Sequence, residues 1–189
     1  GIKITSEHPV SVQVLNIKPG SSEGFKVLPY HTLGKVYRHC SYYDFNGGLE
    51  SASGFIIVAT QNSTNVRIEL LGKRIQTSSG TEYGHRIGDV LIPTPLNEME
   101  TYMVKGDGKS RGKFDLTGTR IISDVPVAVI ALHENTQIPS TGLTKGSNHL
   151  SEMLNPVQSW SNNFSTVEFD RKSGRGDFFR IVASEYETK

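Results

Sequence analysis

The sequence predicts an all-β fold of tandem β-sandwich-like repeats of about 120 residues, the second copy cut short, with at most one or two short helices. Three observations predict it. A stretch near the start of the chain recurs near its middle. Apolar residues alternate, or run in short blocks of strand length. Nineteen glycines and eight prolines punctuate those blocks, as in sandwiches and barrels rather than strand–helix–strand units.

The recurrence comes first because a missed repeat misassigns the architecture. Gly1–Val12 aligns without a gap on Gly118–Val129, with six of the twelve positions identical. Lys3/Arg120 and Glu7/Asp124 keep their charge. Leu28-Pro29, Leu33 and Tyr37 then meet Asn155-Pro156, Trp160 and Phe164, at an offset of 127 in place of 117. Phe55–Thr60 meets Phe179–Ser184 at an offset of 124. The second copy therefore carries extra residues around Asn135 to His149, as insertions in surface loops do. The first unit spans 1–117 and the second 118–189. The second stops where the first continues through Asn65–Leu70, which predicts a segment of a longer protein. A residue kept in both copies serves the fold; one found in a single copy can serve a task.

Within this frame the strands follow in order. Val10–Leu15 alternates with period two, the mark of a half-buried strand. Phe55–Ala59 and Val127–Leu132 are continuous apolar runs, expected of strands covered on both faces. Asn65–Leu70 alternates again, and Asp89–Ile92 and Thr101–Val104 are short candidates. Lys18-Pro19-Gly20, Asn46-Gly47-Gly48, Ser78-Ser79-Gly80 and Lys105-Gly106-Asp107-Gly108 separate them as turns. Asn148–Leu154 reads as one or two turns of helix, ended by Asn155-Pro156 because the residue before proline avoids the α region.

Composition excludes several functions. The net charge is +1 with 21% charged residues and no run of like sign, so the chain lacks the electrostatic footprint of a nucleic-acid or anionic-membrane binder. No apolar run approaches the roughly 20 residues that span a bilayer. The single cysteine, Cys40, has no internal disulfide partner. It reads as a small buried hydrophobe or as a thiol paired outside this segment.

No motif supports catalysis. Gly106–Ser110 has the end of a phosphate-binding loop, but Met103 stands where the motif needs its first glycine and no helix pattern follows. His149 and Glu152 share a face of the expected helix, yet two ligands fall short of a zinc site. His39 and Cys40 are adjacent, so on a strand they face opposite ways. An enzyme would need His85, His133 or His149 gathered with a carboxylate. No metal or cofactor is expected.

Interaction motifs are more numerous. Arg175-Gly176-Asp177, absent from the first copy, offers the guanidinium and carboxylate of an integrin-type motif; its ordinary reading is a solvated hairpin tip. Asn62-Ser63-Thr64 and Asn163-Phe164-Ser165 are glycan acceptors if the chain enters the secretory pathway. Tyr42, Tyr43 and Phe45 can stack on sugar faces, although aromatics at a strand end more often belong to a core.

Taken in order, Asp115–Ile121, Ser123–Val129, Asn148–Pro156 with Trp160 and Phe164, and Arg180–Ser184 resemble the IgGFc-binding protein amino-terminal region, a family of large secreted mucus and matrix proteins. Val10–Asn16, Lys18-Pro19 and Leu33–Tyr37 extend the resemblance into the first copy. It implies a secreted, non-enzymatic adhesion or scaffolding module of an extracellular matrix or mucus glycoprotein. Its partners would be other extracellular proteins or glycoproteins, with self-association through open strand edges, and a carbohydrate-binding, lectin-like module is the alternative. The family pattern often carries cysteines where this chain has Asn135 and Ser147, so the resemblance implies a looser Glu134–Ser147 loop here.

Overall fold

A computed structural model of the chain describes residues 1–43, 51–74, 81, 83–108, 114–138, 147–167, 177–185 and 188. Among these residues there are eleven strands, two single-turn 3₁₀ helices and no α-helix. The strands are β1 (Gln13–Lys18), β2 (Ser21–Lys26), β3 (Gly34–Arg38), β4 (Ser53–Ala59), β5 (Val66–Glu69), β6 (Lys73–Arg74), β7 (Val90–Leu91), β8 (Thr101–Lys105), β9 (Phe114–Asp115), β10 (Arg120–Thr136) and β11 (Asn148–Met153). The 3₁₀ turns are Tyr30–Thr32 and Val157–Ser159. The turns expected at 46–48 and 78–80 lie outside the described residues.

β10 organises the molecule. At 17 residues it is roughly 55 Å long, enough to carry two strands end to end along each edge. Arg120–Ser123 pairs with β5 and Val127–His133 with β4 on one edge. β3 and β11 take the other edge, since Val127 has both Gly34 and Ala59 as partners, and Ile130 both Ile56 and Met153. β7 adds to β5 and β8 to β4, completing a seven-stranded antiparallel sheet. The register against β3 shifts between Ile122 and Val127. Pro126, which has no N–H to give a ladder, lies in that irregular stretch, as prolines in sheets do. The β4–β8 contact is close: a Cβ on Gly54 would lie 2.3 Å from the Val104 carbonyl oxygen.

The core gathers Tyr37, Phe55, Ile57, Ile68, Leu70, Leu116, Ile121, Val127 and Val129, all fully buried. The Tyr37 hydroxyl donates to the Val127 carbonyl (2.6 Å) and accepts from the Gly34 amide (2.9 Å), so the one polar group of this cluster's aromatics is satisfied. Burial pushes the Tyr37 phenol upward.

Two expectations are corrected. The helix expected over Asn148–Leu154 is instead strand β11 (Asn148–Met153): Met153, Glu152, Ser151 and Leu150 pair with Ile130, Ala131, Leu132 and His133. A short polar segment has weak helix preference, and pairing with a long neighbour overrides it. His149 and Glu152 therefore face opposite ways. Val10–Leu15 is not half-buried along its length. Strand begins only at Gln13, and Val10 and Leu15 are 61% and 69% exposed, because β1 has only β2 beside it among the described residues.

The two sequence units do not close as separate sheets, since β10 of the second unit is paired with β3, β4 and β5 of the first. Local structure nonetheless recurs. The β1–β2 hairpin pairs Gln13 with Lys26 and Val14 with Phe25; the aligned residues of β10 and β11 pair Ile130 with Met153 and Ala131 with Glu152. Each hairpin leads into a proline followed by a 3₁₀ turn.

Candidate functional site

Beside the open end of β10 lies a cleft of about 810 Å³. Its walls come from the segment after β3 (Cys40–Tyr43), from β9 and β11, and from the approach of Phe178–Arg180. Alternation on extended backbone sets which side chains face it. His39 is fully buried in the core, against Phe55 at a ring distance of 5.0 Å, while Cys40 turns the other way, half-buried in the cleft wall.

Tyr42 and Tyr43 stack at 4.2 Å between ring centroids. The Arg180 guanidinium lies 5.2 Å from the Tyr42 centroid, within cation–π range. The same group meets the Asp115 carboxylate at 2.9 Å and donates to the Thr117 hydroxyl at 2.6 Å and to the Ser41 carbonyl. Asp115 is largely buried while the Arg180 side chain is 34% exposed, so removing the arginine strands a buried carboxylate. Arg38, also buried, donates from Nε and Nη2 to the Ser184 carbonyl at 3.1 and 2.8 Å. Two arginines thus pin the tail segment 178–184 against the first sequence unit.

Three histidines, His39, His133 and His149, are buried. Burial drives His39 down to about 3, and neither of its ring nitrogens has a hydrogen-bond partner among the described residues. His133 is also pushed down by burial. Its Nδ1 accepts from the Asn135 amide at 3.2 Å and its Nε2 reaches the Tyr43 carbonyl at 2.9 Å, so it is the neutral Nε2–H form that closes both contacts. His149 Nδ1 lies 2.6 Å from the Ser21 hydroxyl. Cys40 is pushed up by burial, which keeps its thiol protonated. Among the described residues no group of three His, Cys, Asp or Glu side chains is placed to hold a metal ion. No helix of the described residues is long and apolar enough to cross a membrane.

The structure brings Tyr42 and Tyr43 together and leaves both half-buried; Phe45 lies outside the described residues. Of the integrin-type motif only Asp177 is described, half-buried, with Arg175 and Gly176 outside. Asn62 and Asn163 are both exposed, although the Thr64 hydroxyl of the first sequon is buried and donates to the Gln61 carbonyl at 2.7 Å. Arg180 and Asp115 were not among the candidate residues. One signal pointed to Arg180: in an otherwise matching block it stands where the first copy has Ile56.

Comparison with known proteins agrees with the resemblance. Over 184 residues, 97% of the chain, the sequence is 28% identical to the IgGFc-binding protein of Homo sapiens, and the chain spans only 3% of that relative's length. No solved structure matches. The family model described as IgGFc binding protein matches residues 23–189, a region that holds Tyr42, Tyr43, Asp115 and Arg180. The chain belongs to the IgGFc-binding protein family.

Proposed function

We propose that this chain is a non-catalytic protein-binding module of a secreted matrix or mucus protein, and that a protein partner anchors in the Tyr42–Arg180 cleft. The observation that carries the reading is the composition of that wall. A stacked tyrosine pair and an arginine already oriented by a largely buried carboxylate are the residue types that dominate protein–protein hot spots, at low cost in ordering. His133, the histidine in the cleft wall, is pushed down by burial and engaged by the Tyr43 carbonyl and the Asn135 amide, which supports binding over acid–base chemistry. Exposure of Asn62 and Asn163 supports glycosylation during export.

Lectin-like binding needs a bare aromatic face for a sugar ring. Tyr42 is taken up by Tyr43 and Arg180, which favours a protein ligand. The test is capture of extracellular proteins on the immobilised chain, with purified immunoglobulin G Fc and a glycan array as defined probes. A genuine cleft ligand loses about 30-fold or more in affinity to Tyr42→Ala, the effect of a hot-spot truncation. Retention indifferent to both Tyr42→Ala and Arg180→Ala overturns the cleft. Binding to the glycan array alone, abolished by Tyr42→Ala, replaces the protein reading with the lectin one.

A further inference from the structure

The buried core of the first unit has a counterpart lying bare on the surface. Tyr37, Phe55, Ile57, Ile121 and Val127 are all fully buried. Their aligned residues Phe164, Phe179, Ile181, Ile4 and Val10 are 79%, 63%, 92%, 60% and 61% exposed. These exposed residues fall in two places. Ile4 and Val10 lie on the amino-terminal segment, the counterpart of the first half of β10. Phe164, Phe179 and Ile181 lie on the segments corresponding to β3 and β4, the strands that β10 pairs with.

We propose that the module associates head to tail with a second copy of itself, Gly1–Val14 of one copy adding as a strand against the Ser161–Ser165 and Phe179–Ala183 segments of the other. The occupant follows from the molecule's own sheet, which already shows how these sequences fit. β10 places Val127 opposite Ala59, Val129 opposite Ile57 and Ala131 opposite Phe55. Carried across the repeat, Val10 meets Ala183, Val12 meets Ile181 and Val14 meets Phe179. Ile121 opposite Tyr37 becomes Ile4 opposite Phe164. The Thr60 hydroxyl bonds the Pro126 carbonyl, and Ser184 and Pro9 occupy those places in the second contact. Gly1–Val12 lies in no strand among the described residues, and β1 directly after it has only β2 beside it, so this stretch is open to pairing. Because donor and acceptor are different surfaces, the contact is heterologous, giving a ring where its rotation closes and an open chain where it does not.

The acceptor segment shares Phe179 with the cleft wall, so the cross-links are placed at positions outside the cleft. In a Cys40→Ser background, Val12→Cys is mixed with Ile181→Cys, and Ile4→Cys with Phe164→Cys, under mild oxidation of the whole chain. Facing residues of antiparallel strands lie about 4.5–5.5 Å apart at Cα, within disulfide reach. The expected result is a mixed dimer from each pair, formed several-fold faster than from Val12→Cys with Val182→Cys, since a one-residue slip turns the side chain to the other face. Sedimentation should show concentration-dependent species beyond dimer. Ile4→Asp should weaken association by about tenfold or more while leaving the melting temperature unchanged, the loss expected on stripping one buried isoleucine from an interface. A monomer at millimolar concentration, or matched pairs no faster than the shifted one, overturns the proposal. Tyr42→Ala leaves this association intact and so separates it from cleft binding.

Discussion

Gly118–Val129 and Gly1–Val12 share half their residues and almost nothing of their surroundings. The first lies in the strand that all six of the sheet's other strands either pair with directly or reach through one neighbour. The second runs along the surface, tied by the Lys3–Glu98 ion pair at 2.7 Å and by the amino terminus reaching the Met99 carbonyl. The difference teaches that a strand's sequence supplies an apolar edge and face, while burial is supplied by whatever pairs with it. Similar pattern, dissimilar partners, opposite burial.

The sharpest way to break that comparison is to truncate matched side chains. Phe55→Ala should cost about 3–5 kcal/mol, since it opens a cavity in a packed sheet. Phe179→Ala, at the aligned position, should stay within about 0.5 kcal/mol, as surface changes do. Urea midpoints at dilute protein concentration, below any self-association, check both. A large loss from Phe179→Ala would mean that its packing in the cleft wall contributes more than its exposure indicates.

A second contrast involves charge. His39 is buried against Phe55, and its aligned residue, Thr166, is exposed. Burial, set against a favourable field from Asp115 and an unfavourable one from Arg180, holds His39 near 3, well below its ordinary value. The unfolded chain therefore binds the proton first. Stability is full above about pH 6.5 and falls as pH drops towards 3, by roughly 1–2 kcal/mol per pH unit. His133, also pushed down by burial, steepens the same limb. His39→Leu removes a buried polar ring with no partner and should be neutral or stabilising at pH 7, with a flatter acid limb in thermal melts between pH 7 and 4. An unchanged limb would assign acid sensitivity to His133.

How much was legible in the sequence follows the same division. Phe55–Ala59 and Val127–Leu132 announced covered strands because continuous apolar runs of that length have few other uses. The repeat announced which segments correspond. β11 was misread because Asn148–Met153 is short and polar, and only its register against Ile130–Thr136 makes it a strand. The cleft was half legible: Tyr42 and Tyr43 stand together in the chain, but Arg180 and Asp115 are 65 residues apart, and an ion pair across that distance leaves no local pattern. What remains local was readable; what depends on a distant partner was not.

The smallest expected effect tests the converse, that local structure repeats wherever its sequence does. Pro29 and Pro156 have nearly the same backbone, φ −62 and ψ 149 against φ −67 and ψ 152. In the first turn the Thr32 hydroxyl and amide both donate to the Pro29 carbonyl, at 2.7 and 2.9 Å. In the second, Ser159 does the same to Pro156, at 2.8 and 2.9 Å. Neither bond draws on the sheet, so its worth should not depend on the core nearby. Thr32→Ala and Ser159→Ala should each cost about 0.5–1 kcal/mol, the net value of one hydrogen bond between neutral groups, and should agree within a few tenths. Chemical denaturation of the two single variants and the double variant measures this, and the sites are far enough apart in sequence and partners for the costs to add. A Thr32→Ala cost several times the other would show that even this turn is held by the strand it precedes, since Leu33 beside it is buried and Trp160 is only half so.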